Sequence, residues 1–166
     1  MNTVLEREFS GYRIINNTVA PISNESEAKE IESAINAGIN FTSLNSCNTH
    51  LTSALQKISY RTTPDYRNSI KESISAVESV AKIISGTTKG SLGSAIDKIK
   101  VKLKIHPSLE RALKSIYGYT SDSDGIRHAL TEESNVDFED AKFMLVTCSA
   151  FINYLIAKAN KSHIQF

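Results

Sequence analysis

The chain has few cysteines and almost no net charge, and both features narrow the classes of protein it can belong to. Among its 166 residues there are two cysteines, Cys47 and Cys148. Two thiols are too few for a disulfide-stabilised scaffold or for a four-thiolate zinc site. The net charge is +1, from 19 basic and 18 acidic residues. Gross charge therefore neither requires nor excludes a nucleic-acid partner, and only local clustering of charge can indicate one.

Long apolar stretches are also missing. No run of apolar residues approaches the roughly 20 that a membrane-spanning helix needs. The first nine residues contain acidic side chains and no apolar core, which is unlike a secretory signal peptide. We therefore predict a cytoplasmic location with no membrane partner. With 40% hydrophobic and 22% charged residues, the chain has the composition of one folded globular domain with a sizeable core.

Apolar residues recur at the three- and four-residue spacing of helices along most of the chain. The segment 11–22 differs, because two short apolar runs flank Asn16 and Asn17, a pair that tolerates positive φ and so predicts a β-hairpin. We predict a mostly α fold of five to six helices with a small N-terminal β-hairpin. Residues 1–23 would form an N-terminal extension, and residues 24–166 the helical domain. The segments with helical periodicity are 24–37 (ended by Gly38), 42–60, 65–85 (ended by Gly86), 91–103, 107–117 and 137–159.

Alternating lysines form the only basic concentration in the sequence. In a strand they would share one face, whereas in a helix successive members would be 200° apart and fall into two opposed groups. The sequence leaves both conformations open for 100–105. The cluster is a candidate RNA-binding surface, and a solvated face is the alternative. Its members are Lys98, Lys100, Lys102 and Lys104.

The most informative stretch is 117–130, a polar segment between two periodic ones that contains the adjacent pair Arg127 and His128. A guanidinium can hold a phosphate diester while an imidazole moves a proton, so we predict these two as catalytic residues. Alternatively, Arg127 pairs with Asp122, Asp124 or a carboxylate elsewhere to hold the loop, and His128 is a partly buried packing residue. These two aspartates resemble part of a calcium loop, but the glutamate that completes an EF-hand is missing. A turn that caps the next helix is the favoured interpretation.

Two further carboxylates are candidate supporting residues. Glu72 and Glu78 lie six positions apart in the clearest helical segment, so they face different sides, and one of them could orient Arg127 or His128. Solvent exposure is the alternative we favour. Cys47 and His50 have the spacing of metal ligands but no second pair, so we predict neither a metal nor a cofactor.

Several ordered segments together are similar to a known family. These segments, 65–78, 106–109, 113–129 and 140–154, resemble the C-terminal domain of bacterial abortive-infection proteins of the AbiJ type, which look like members or relatives of the HEPN superfamily. The resemblance covers roughly residues 5–157. It implies a HEPN-like helical bundle that commonly forms a homodimer, often carries another N-terminal domain, and serves in phage defence or toxin systems.

The resemblance also implies a chemistry. Many HEPN proteins are metal-independent endoribonucleases whose motif is an arginine, a polar residue, and a histidine with four to six residues between Arg and His. Arg127 and His128 match the first two positions, but Glu132, Glu133 and Ser134 occupy the positions of the histidine. Two functions therefore remain open: an RNA-cleaving domain, or an inactive module that binds RNA, nucleotide or a partner protein and assembles a defence complex.

Overall fold

Helices dominate the structure, a computed structural model that describes residues 1–121 and 136–166. The predicted site residues Asp122, Asp124, Arg127 and His128 thus lie outside the described residues. The described part contains seven α-helices, a short 3-10 helix and one two-stranded antiparallel sheet. In chain order they are α1 (Asn2–Arg7), β1 (Arg13–Ile15), β2 (Thr18–Ala20), α2 (Glu25–Asn40), the 3-10 helix (Thr42–Leu44), α3 (Asn45–Ile58), α4 (Tyr66–Ser85), α5 (Leu92–Lys102), α6 (Pro107–Ser121) and α7 (Phe138–Lys161).

The predicted hairpin is confirmed. Asn16 and Asn17 form its two-residue turn with φ values of +45° and +61°, the left-handed conformation that asparagine tolerates best after glycine. Ile14 pairs with Val19 across the two strands. The hairpin packs on α2 and α3 and buries Ile15 in the core. The two strands are too short to be stable alone, so this packing holds them in place.

One short helix was not predicted. Helix α1 buries no residue, so it has no apolar periodicity that a sequence pattern could show. The Asn2 side chain holds it to the hairpin, because its amide nitrogen donates to the Ile14 carbonyl at 2.8 Å and its oxygen accepts from the Ile14 N–H at 2.7 Å. The observed count of seven therefore exceeds the predicted five to six by this helix.

Polar side chains fix the starts of three of the helices. Asn24 accepts hydrogen bonds from two backbone N–H groups of α2, and Asp65 does the same for one N–H of α4. Asp137 and Asp140 form a reciprocal capping box at the start of α7. At the other end of α4, Gly86 takes up the left-handed conformation, with φ +72°, that ends many helices.

The prediction that Gly38 ends α2 is wrong, since the helix continues to Asn40. Gly38 is buried, and a Cβ atom placed on it would lie 2.6 Å from the Cβ of Asn48 in α3. The missing side chain therefore lets α2 and α3 approach closely. A glycine near the end of a periodic segment resembles a helix stop in sequence, and only the packing partner distinguishes the two roles.

Helices α4 and α7 form the centre of the core. They pack against each other and against α3, and α7 also packs against α2. Helix α7 is the one described helix long and apolar enough, by length and composition, to cross a membrane. Nine of its residues are buried against the neighbouring helices, which accounts for its apolar composition. It starts at Phe138, one residue after the start of the predicted segment 137–159.

Candidate functional site

Residues 122–135 lie in sequence between the end of α6 and the start of α7. Burial, reinforced by the negative charges of Asp140 and Asp137, raises the pKa of Tyr119. Arg127 and His128 lie between these two helices in sequence and outside the described residues, so their predicted catalytic role stays a prediction.

An imidazole–carboxylate pair joins α3 to α4. Nδ1 of His50 lies 2.6 Å from Oε2 of Glu72, and the two side chains are 34% and 25% exposed. A carboxylate only accepts hydrogen bonds, so Nδ1 must carry the proton that is shared with Glu72. In the neutral ring this leaves Nε2 unprotonated and able to accept a proton. The pair therefore has the arrangement of a general base, His50, that is held in one tautomer by the carboxylate of Glu72.

A polar depression of about 380 Å³ lies beside this pair. His50 lines it together with Glu78 and Lys82, whose ammonium group is 2.7 Å from the Glu78 carboxylate. Glu78 also takes part in a further interaction. The hydroxyl-bearing residues around the depression are Ser46, Ser75 and Ser79.

The structure thus corrects the interpretation of Glu72 and Glu78 as solvent-exposed carboxylates. Both are half-buried and have partners, at 25% and 18% side-chain exposure. Their spacing turns them to different sides of α4. His50 contacts Glu72 and also lines the depression together with Glu78. The sequence did not reveal the His50–Glu72 pair because its members lie 22 positions apart on two different helices, with the turn between α3 and α4 separating them.

The metal-ligand spacing of Cys47 and His50 does not bring their side chains to a common site. Cys47 is fully buried in the core, where burial raises the pKa of its thiol to about 12. His50 instead faces Glu72 at the helix surface. In residues 1–121 and 136–166, no group of three His, Cys, Asp or Glu side chains is placed to hold a metal ion.

The lysine cluster is helical rather than extended. Helix α5 continues to Lys102, and Lys104 follows in the left-handed region with φ +50°. Lys98 and Lys102 share one side of the helix, and Lys100 projects from the opposite side. Of the two conformations left open by the sequence, the structure therefore has the one in which the lysines do not form a single face.

One of these lysines belongs to an ion network between α5 and α6. Lys100 lies 3.0 Å from Asp97 and 2.9 Å from Glu110, and Lys114 contacts the same two carboxylates at 2.7 and 2.9 Å. Hydrogen bonds from Lys114 and then Lys100 lower the pKa of Asp97 to about 2. The same lysines lower the pKa of Glu110. The ammonium group of Lys100 thus joins α5 to α6 through two carboxylates, and so it is less available to contact RNA.

Comparison of the chain with protein-family models, with curated proteins and with solved structures finds no match.

Proposed function

We propose that the chain is a HEPN-like domain of a prokaryotic abortive-infection or toxin protein that cleaves RNA without a metal ion. The resemblance of residues 5–157 and the mostly helical fold with a small hairpin support the family. The observation that carries the chemistry is the His50–Glu72 pair beside the depression lined by Lys82. His50 supplies a proton acceptor, and Lys82, whose ammonium group also pairs with Glu78, supplies a cation beside it. Phosphodiester cleavage by a ribose hydroxyl uses both kinds of group.

In the proposed reaction, Nε2 of His50 removes the proton from a ribose 2′-hydroxyl, and Glu72 stabilises the resulting imidazolium. The 2′-oxygen forms a bond to phosphorus and the bond from phosphorus to the 5′-oxygen breaks. His128 donates a proton to the departing 5′-oxygen, while Arg127 and Lys82 stabilise negative charge on the phosphorane. The products are a 2′,3′-cyclic phosphate and a 5′-hydroxyl. This assignment gives the reaction a second histidine, which the family motif lacks in this chain.

The test is cleavage of an end-labelled RNA in EDTA by the wild type and by His50→Gln. Loss of a positioned acid–base group typically slows a reaction by about 10²–10⁴-fold, and we expect a loss of that size. Glu72→Gln should lose less and should shift the pH profile, because the tautomer is no longer fixed. His163→Gln, which changes an exposed histidine outside the depression, serves as the matched control.

The double variant Arg127→Ala/His128→Ala examines the loop separately. If folded His50→Gln protein cleaves the RNA as fast as the wild type does, His50 is not the base. Cleavage that survives in the double variant would remove the loop from the reaction. Circular dichroism of each variant establishes that the fold is intact.

A module that binds without cleaving is the second candidate. It is favoured by Glu132, Glu133 and Ser134, which stand where the family motif has its histidine. Such a module would bind RNA, nucleotide or a partner protein and assemble a defence complex. RNA binding by the wild type with no 2′,3′-cyclic product would favour it. Light scattering during size-exclusion chromatography would test the homodimer that the resemblance implies.

A further inference from the structure

An aromatic groove of about 300 Å³ opens at the end of the bundle where α4 and α7 begin, away from His50. Its size is at the lower end of the range of about 300–1,000 Å³ typical of small-molecule pockets. Two of its tyrosines, Tyr12 and Tyr60, are 47% and 49% exposed, so their rings are accessible from solvent. Tyr66 also lines the groove and contacts Phe138 edge to face, with ring centroids 6.2 Å apart. Such a set of rings offers flat apolar surfaces on which another ring can stack.

The walls of the groove are held by the surrounding structure. Arg13 is 4% exposed, and its guanidinium donates hydrogen bonds of 2.9 Å to the carbonyls of Ser10 and Tyr12, which fixes the backbone that carries the first tyrosine. On the opposite wall, the turn after α3 is closed by a 3.0 Å hydrogen bond from the Asp65 N–H to the Lys57 carbonyl. The groove is therefore largely formed before any ligand binds, which reduces the entropy lost on binding.

The charge of the groove points to an anionic ligand. Arg61 is its single charged lining residue among those the structure describes, and no carboxylate lines it there. Arg61 also makes no ion pair or hydrogen bond with the described part of the chain. An exposed guanidinium with no acidic partner among residues 1–121 and 136–166, next to aromatic rings, matches a phosphate joined to a flat base.

We propose that this groove binds an unpaired base of a single-stranded nucleic acid, with the adjoining phosphate on Arg61. The base stacks on the rings of Tyr12 and Tyr60. Stacking on aromatic side chains tolerates any base, and the cation follows the backbone. A duplex does not fit, because its bases are already stacked and paired. Binding here is separate from the proposed cleavage at His50, so either can hold without the other.

Fluorescence anisotropy with a labelled 2′-O-methyl decauridylate tests the proposal, since this RNA has no free 2′-hydroxyl and cannot be cleaved. We expect Tyr60→Ala to weaken binding by about 5- to 100-fold, the range of one base–aromatic stack. Phe143→Ala removes an exposed aromatic ring outside the groove and should change nothing. Arg61→Ala should reduce the slope of log affinity against log salt by about 0.7, and Arg61→Lys should retain it.

Several outcomes would overturn the proposal. The proposal is wrong if the wild type does not bind the single-stranded RNA, or if it binds an RNA duplex equally tightly. Equal loss in Tyr60→Ala and Phe143→Ala would also overturn it, as would binding of a proline-rich decapeptide in place of the RNA. Decathymidylate distinguishes DNA from RNA as the source of the single strand. If the wild type cleaves natural RNA but the Tyr60 and Arg61 variants bind RNA as tightly as the wild type, the groove proposal is wrong. The proposed nuclease activity would be unaffected by that result.

Discussion

Replacing Gly38 by alanine tests how closely α2 must approach α3. The added Cβ would lie 2.6 Å from the Cβ of Asn48, 3.0 Å from its backbone nitrogen and 3.1 Å from its Cα. These atoms belong to the body of α3 and cannot rotate away, so one helix has to shift. The shift would also strain the hydrogen bond of 3.3 Å from the Asn48 amide to the Ile35 carbonyl.

Two opposing terms set the size of the effect. Alanine is favoured over glycine in a helix by about 1 kcal/mol. Overpacking a closely packed site costs about 1–3 kcal/mol. Because the clash involves backbone and Cβ atoms, we place its cost in the middle of that range. We therefore expect Gly38→Ala to lower the free energy of unfolding by about 1 kcal/mol.

Urea unfolding followed by circular dichroism measures the change, with Gly93→Ala as the matched control. Gly93 is also helical, but its added Cβ would meet only the Ser91 hydroxyl, at an ordinary 3.7 Å. This control should gain about 0.5–1 kcal/mol from helix propensity alone. If Gly38→Ala gained stability as Gly93→Ala does, with an unchanged denaturant slope, the close-approach argument would be refuted.

Three further predictions concern charges and thiols. The depressed pKa of Asp97, about 2, stabilises the fold above the unfolded value of about 3.9 and this contribution is lost as pH falls toward 2. Asp97→Asn should therefore unfold at a lower temperature than wild type at pH 7, and the difference should shrink as the pH is lowered to 2; an undiminished difference at pH 2 would contradict this. Burial raises the pKa of Cys47 and of Cys148 to about 12, so an aromatic disulfide reagent at pH 8 should label both thiols only after unfolding in urea; rapid labelling of the native protein would show that they are accessible. Asp137→Ala removes the capping box of α7 and should cost about 1 kcal/mol in urea unfolding, whereas Asp137→Asn should retain most of it; equal losses would mean that the cap is not the cause.

Local signals were enough to predict much of the fold. Asn16 and Asn17 marked the hairpin because the turn needs positive φ at both positions, a requirement that is independent of the rest of the chain. Gly86 marked the end of α4 for a similar reason, since it acts on backbone groups within one turn. Gly38 failed as a stop signal because its role depends on Asn48, a residue in another helix.

The candidate site was less predictable. Glu72 was selected from the sequence, but its partner His50 was considered only as a neighbour of Cys47. Helical periodicity places a residue on a face of its own helix and does not say which residue of the next helix it will meet. Between Lys98 and Lys104, the sequence fits both the helical repeat and the two-residue alternation of a strand. Packing of Ile96 and Ile99 into the core favours the helix.

The central position of α7 has a consequence for how the chain is made. Its amide Asn153 bonds to Glu30, 123 residues earlier, and its apolar face covers α2, α3 and α4. A ribosome that adds about 5–20 residues each second completes α4 several seconds before it completes α7. During that interval the surfaces that α7 will cover face water or a chaperone. Final folding therefore waits until α7 has been synthesised, and a chain cut before Phe138 should be recovered mainly in aggregates or in chaperone complexes.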